Sequence, residues 1–220
     1  MTRSTSRREG VHVNGPQTSF DPEAVLNALI KDSDVMRYVG QSATKSPPTK
    51  RICIAGIDGA GKTTLCQQLA HVYEHLGLEV RTFHRYRLID NVTRVPIAML
   101  RAGPSAGTIE IYDRSIYDNL AVWAAKTRWP CSALYPVVKS VWLLYPRFDS
   151  SIYLEADWDA TRVRRPRTDP ARFARLREAY RSIARAADFR TIASCNESLR
   201  AALVAITKGT TGSQREAANT

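Results

Sequence analysis

The stretch Gly56-Ile57-Asp58-Gly59-Ala60-Gly61-Lys62-Thr63-Thr64 directly follows the apolar run Ile52-Cys53-Ile54-Ala55. It fits G-x-x-x-x-G-K-[ST], and the strand that such a loop requires stands in front of it. Glycines let the backbone fold tightly around phosphates, so that amide N–H groups and the following helix N-terminus point at negative charge. Gly56, Gly59, Ala60, Gly61, Lys62, Thr63 and Thr64 are therefore the expected contacts to a nucleotide's phosphates. Lys62 has the reach for the β- and γ-phosphates, and the Thr63 hydroxyl can ligate Mg²⁺.

From Arg51 onward the pattern alternates strand and helix, which predicts a parallel sheet with helices on both faces. The first strand ends at Gly56, and the helix opened by Lys62 carries Leu65, Leu69 and Val72 before stopping at Gly77. Leu78 to Phe83 and Thr108 to Asp113 read as the second and third strands, with a helix from Ser115 to about Lys126. Ser151 to Leu154 and Phe189 to Ala193 complete five strands, and Glu197 to Lys208 is the last helix. The domain thus covers residues 50–209, a length suited to one sizeable core, and 210–220 is a disordered polar tail.

Residues 1–49 form an N-terminal extension: a polar start, a short helix from Pro22 to Lys31 capped by Asp21, and a linker containing Pro47-Pro48. The helix has an apolar stripe of Val25, Leu26, Leu29 and Ile30, which needs cover from the domain or from a partner. No apolar stretch follows the basic start, as a signal peptide would require, and no run reaches the roughly 18 apolar residues of a membrane span. Cys53, Cys66, Cys131 and Cys195 lie far apart without metal-ligand spacing. The expectation is a reduced, cytoplasmic protein.

A phosphate-binding loop identifies the ligand and leaves the reaction open. No Asn-Lys-x-Asp element reads guanine, and the third strand ends in Tyr112-Asp113-Arg114 instead of the Asp-Glu of a motor ATPase. With G-x-D-G-x-G-K-T-T, this Asp-Arg pair and the arginines Arg162, Arg164, Arg165 and Arg167 before Pro170, the chain resembles the thymidylate-kinase family of nucleoside monophosphate kinases from Arg51 to about Lys208. Phe173, Arg177, Tyr180 and Ile183 match the family's F-x-x-x-R-x-x-Y-x-x-[LI] helix after its lid.

The resemblance implies a three-layer P-loop kinase fold: a five-stranded parallel sheet, helices on both faces and a helical lid within Asp157 to Phe189. Asp58 would face the acceptor's sugar hydroxyl, or merely shape the turn. Asp113 would organise Mg²⁺ and Arg114 grip the acceptor phosphate, or the two form a structural ion pair. Because Ile57, Asp58 and Ala60 are not basic, the lid would supply the arginine for the transferring group, and Arg162, Arg165 and Arg167 are its candidates. The family's Arg-Glu-Pro after the second strand is Arg85-Tyr86-Arg87 here, so Arg85 would reach the acceptor phosphate while the glutamate's role has no counterpart. His84 is read as a structural histidine.

The base-reading segment also departs from the family. Its Ser-x-x-Ala-Tyr-Gln ends here in Ala121-Val122-Trp123, and Tyr117 and Trp123 either stack on a base or belong to the core. Asp113-Arg114-Ser115-Ile116-Tyr117 is similar to a segment of deoxynucleoside kinases as well, whose carboxylate base after the second strand has only Asp90 as a candidate here.

The resulting expectation is an ATP- and Mg²⁺-dependent nucleotide kinase with a small nucleotide acceptor, dTMP by default, and by family analogy a homodimer. A same-fold kinase acting on a modified nucleotide, a nucleoside or another metabolite stands beside it. The net charge of +11 motivates a third reading, an ATP-binding, nucleic-acid-associated protein without transfer. Concentration of the basic residues at the lid argues against that reading, so nucleic acid is not an expected partner.

Overall fold

The structure, a computed structural model, describes residues 50–84, 107–145, 147–194 and 201–202. The expectations for 1–49, for Arg85 to Arg87, for Asp90 and for the tail lie outside the described residues. So does most of the last helix, of which Ala201 and Ala202 are helical. Five strands, β1 (Lys50–Gly56), β2 (Glu79–His84), β3 (Thr108–Asp113), β4 (Ser150–Glu155) and β5 (Arg190–Ala193), pair in parallel in the order β2-β3-β1-β4-β5. The helices between them are α1 (Lys62–His75), α2 (Ile116–Thr127), α3 (Cys131–Leu144), α4 (Trp158–Arg164) and α5 (Pro170–Ala186).

This order places the helices. From β1 the chain crosses over β3 to reach β2, and from β3 it crosses back over β1 to β4, so right-handed connections put α1 on one face and α2 and α3 on the other. The packing agrees: α1 lies on β1, β2 and β3, while α5 packs on α2, α3 and β4. The central strands are buried on both sides, and Ile52, Ile54, Ile111, Ile152 and Leu154 meet Leu65 and Leu69 of α1 and Ile183 of α5 in one core. The architecture is the expected five-stranded parallel sheet between two helical layers.

Element ends follow local hydrogen bonding. Leu78 donates its N–H to the Tyr73 carbonyl and Gly77 to that of Glu74, closing α1 with Gly77 at φ 75°. Leu78 is thus spent on the helix end, and β2 starts one residue later than its hydropathy suggests. Ser115 is the N-cap of α2 and not its first residue. Phe189 caps the end of α5 in the same way through Ala184, which delays β5 to Arg190. Pairing with both neighbours extends β4 one residue at each end of the expected Ser151 to Leu154.

Two regions differ more substantially. No element was expected at 131–144, yet Leu134, Val138, Val141 and Trp142 repeat at helical spacing in α3 and pack into or against the core despite Pro136. The lid region also divides: α5 buries Phe173, Leu176, Tyr180 and Ile183, so it belongs to the core. Only α4 and the turn after it are left to cover the site.

Lys50 opens β1 with its side chain 4% exposed. Burial pulls its ammonium pKa down to about 8, with Asp149 opposing the shift and Arg190 adding to it. The unfolded lysine keeps its proton to about pH 10.4. Between these values the unfolded state binds more protons, so stability rises with pH across the window, and below pH 8 the cost is full, on the order of 3 kcal/mol. Lys50→Met is expected to flatten that rise, because the residue then has no proton to lose. Urea unfolding from pH 7 to 10.5 checks it, and an unchanged slope in the variant would refute it.

Candidate active site

All five strands are parallel, so their carboxyl ends share one edge, and the chain order reverses around β1. Ligands in such sheets bind outside that edge at the reversal. Gly56 ends β1 there, and a Cβ at this position would stand 2.6 Å from the Leu154 carbonyl oxygen, so the close approach of β4 requires glycine. Gly59 and Gly61 have φ near 90°, in the region that favours glycine, and Gly61 is the N-cap of α1. Ala60 donates to the Ile57 carbonyl, and the Ser194 hydroxyl donates to the Ala60 carbonyl at 2.6 Å, tying the loop to the end of β5.

Lys62 is 5% exposed and points back into the loop, donating to the Gly56 and Ile57 carbonyls at 2.7 and 2.9 Å. Burial lowers its pKa, against the attraction of Asp118, Asp58 and Asp113. Beside it, the Thr63 hydroxyl donates to Asp113 Oδ2 at 2.7 Å, and His84 Nδ1 lies 3.2 Å from the same oxygen. Asp113 Oδ1 is buried without a hydrogen-bond partner among the described residues. An unsatisfied carboxylate oxygen next to a hydroxyl is a donor set for a hard cation. Among the described residues no group of three or more His, Cys, Asp and Glu gathers for a metal. Mg²⁺ is commonly held by one or two carboxylates together with substrate phosphates and water, and Asp113 beside Thr63 is chemically compatible with such a site.

Arg114 follows β3 with φ 90°, a conformation that costs a non-glycine residue about 1–3 kcal/mol and is typical of functional turns. Its backbone N–H bonds the Ile54 carbonyl, which fixes the turn to β1, and its guanidinium pairs with Asp58. Partial burial works against ionisation of Asp58, but Arg114 and Lys62 outweigh it and hold the carboxyl below its usual range. In this structure, then, Asp58 is a partner of Arg114 as well as a loop residue.

Asp118 is a site residue that the sequence reading passed over. Its carboxylate accepts from Ser115 N–H at 2.9 Å, from Gly56 N–H at 3.3 Å and from the Tyr180 hydroxyl at 2.9 Å. One buried side chain thereby joins the phosphate loop, the Asp113-Arg114 turn and α5. Burial pushes its pKa up, against Lys62 and these three donors. The local signal was present: Ser115-x-x-Asp118 fits the capping box [ST]-x-x-[DE], and both of its bonds are formed.

Two cavities meet at the loop. One, of about 530 Å³, is lined by loop residues with Gln67, His84, Asp113 and Arg114. The other, of about 500 Å³, has Ile57, Val122, Leu176 and Tyr180 as apolar lining and Arg167 and Arg172 among its charged lining. Asp58, Arg164 and Arg165 line both and form the boundary. Arg164 ends α4 and donates from Nη1 to the Gly59 carbonyl at 2.9 Å. Of the arginines singled out in the sequence, Arg165 and Arg167 reach a cavity, whereas Arg162 is largely exposed beside Asp159. Arg164 stood in the same arginine run but not among the candidates for the transferring group, and Arg172 lay outside that run.

The aromatic candidates separate. Tyr117 is 4% exposed, its ring edge-on to Phe189 in the core, so of its two readings the structure gives packing. Trp123 is 46% exposed, edge-on to Trp129, and lines neither cavity; its neighbour Val122 does. Arg85 lies outside the described residues.

No protein-family model matches this chain, and neither does any curated protein. Among solved structures, the chain is similar to a deoxyadenosine kinase from M. mycoides with bound dATP, at 16% identity over 64% of this chain and 88% of that one, TM-score 0.44. It is likewise similar to a thymidylate kinase from Candida albicans, at 16% identity over 78% and 94% of the two chains, TM-score 0.48.

Proposed function

We propose that this protein transfers the γ-phosphoryl group of ATP to a small acceptor of the nucleoside monophosphate class, with dTMP as the first acceptor to test. The observation that carries the proposal is the shared wall of Asp58, Arg164 and Arg165 between the phosphate-loop cleft and a second cavity of ligand size. A donor in one cavity and an acceptor in the other would meet at that wall.

The residues divide the work by charge. Loop amides and Lys62 hold the β- and γ-phosphates, Lys62 leaving its loop carbonyls for phosphate oxygens. Thr63 and Asp113 would hold Mg²⁺ together with phosphate oxygens, and the ion would supply charge neutralisation. Arg114, which lines the phosphate-loop cleft and pairs with Asp58 of the shared wall, would hold the acceptor phosphate at that wall, and Arg164 and Arg165 would stabilise the equatorial oxygens of the transferring group. Because a phosphate acceptor is already a nucleophile, positioning and charge suffice and no general base is needed. The apolar lining of Ile57, Val122 and Leu176 suits the acceptor's sugar and base.

The test is ADP release with ATP and Mg²⁺ across the natural nucleoside monophosphates, nucleosides and sugar alcohols. Turnover stimulated by a monophosphate is expected. Stimulation by nucleosides alone would move the acceptor to the hydroxyl class, and no stimulation by any acceptor would remove the kinase reading.

A further inference from the structure

His84 ends β2 in direct register with Asp113 at the end of β3, so the parallel pairing itself sets the two side chains side by side. We propose that His84 is a positioning residue that orients the Asp113 carboxylate toward a divalent cation at the phosphate loop, an inference that rests on the proposed use of a Mg²⁺-nucleotide.

Three observations meet here. The contact between His84 Nδ1 and Asp113 Oδ2 is 3.2 Å, and an ionised carboxylate only accepts, so Nδ1 donates. The same oxygen accepts from Thr63 at 2.7 Å, while Oδ1 is buried without a partner among the described residues. Finally, the His84 side chain is 37% exposed and lines the phosphate cleft, whereas Asp113 is 4% exposed.

A carboxylate held by one donor can still rotate and present either oxygen. Two donors from different elements on one oxygen fix its plane and leave the other oxygen in a single direction. The exposed imidazole has water as an alternative partner, so desolvation does not force its bond to Asp113. That bond instead gives the carboxylate its orientation. Hydrogen bonds of this kind to a metal-binding carboxylate are commonly worth 10- to 100-fold in metal affinity. Nothing in the strand pattern required histidine here, since the edge strand β2 is mostly exposed and its apolar contacts are made by Val80 and Phe83.

The experiment measures ADP binding by calorimetry as Mg²⁺ is added from zero, with Mg²⁺-dependent turnover as a second readout. In His84→Ala, ADP affinity in excess EDTA should be unchanged, because loop amides and Lys62 remain. The Mg²⁺ concentration for half-maximal enhancement of binding should rise by about 10- to 100-fold. His84→Asn, whose amide can donate to the same oxygen, should recover most of the loss. His84→Phe keeps ring bulk without a donor and carries the same expectation as alanine should alanine not fold. An unaltered Mg²⁺ midpoint in the alanine and phenylalanine variants, or an asparagine variant as impaired as they are, overturns the assignment of His84 alone. Absence of Mg²⁺-dependent nucleotide binding in the unaltered protein overturns this inference together with the function on which it rests.

Discussion

Lys62→Ala is expected to lower acceptor-stimulated ADP release by about 10³-fold, the upper range for removing one preorganised donor from a charge-stabilising site. The size follows from where the ammonium sits. It is 5% exposed, and both of its hydrogen bonds are to loop carbonyls that themselves shape the phosphate cradle. A cation in so dry a place acts on developing phosphate charge with little screening from water. Burial also lowers its pKa, and the nearby carboxylates of Asp118, Asp58 and Asp113 oppose that shift. Lys62→Arg should not restore activity, because a planar guanidinium cannot occupy a pocket built for a point charge. Steady-state kinetics with a thermal-unfolding control decide the matter. A folded Lys62→Ala protein with ordinary kcat would remove the loop from the chemistry.

Arg164→Ala is expected to cost about 10³-fold in kcat with a small change in either KM, since an arginine supplied to the transferring group typically contributes at least that much. Three placements single it out. It ends α4, it bonds Gly59 of the phosphate loop, and it lines both cavities. By contrast Arg162, in the same charge run, is 63% exposed and 3.9 Å from Asp159. Arg162→Ala should therefore lie within about twofold of the unaltered protein, as exposed ion pairs contribute little. A loss confined to KM in Arg164→Ala would make that residue a binding group. Equal losses in the two variants would show that the lid acts through its net charge.

The loop was legible because its determinants are contiguous: three glycines, a lysine and two threonines within nine residues after an apolar strand. Strand and helix existence was legible for the same reason, through periodicity within single elements. Boundaries were less so, as Leu78 and Phe189 show, because each is spent on closing the preceding helix and not on opening a strand. α3 has Leu134, Val138 and Val141 at helical spacing with Pro136 inside it, and the packing on α5 that holds it is visible only in the tertiary structure. The aromatic pair shows the limit most plainly. Tyr117 and Trp123 lie on one apolar helix, and only the position of Phe189 and Trp129 tells which ring is core and which is half-exposed.

What the sequence determined by itself, then, is the phosphate cradle and the class of sheet that carries it, since both depend on neighbours a few residues apart. The tertiary structure decided who else stands at the cradle. His84 meets Asp113 because β2 and β3 pair in parallel with those residues in register. Asp118 reaches Gly56 and Tyr180 across separations of 62 residues each. Arg164 reaches Gly59 across 105. Such contacts follow from the strand order, which places every carboxyl end on one edge. A run of four arginines states its charge in the sequence, but only the placement of α4 sets Arg164 on the Gly59 carbonyl and leaves Arg162 exposed.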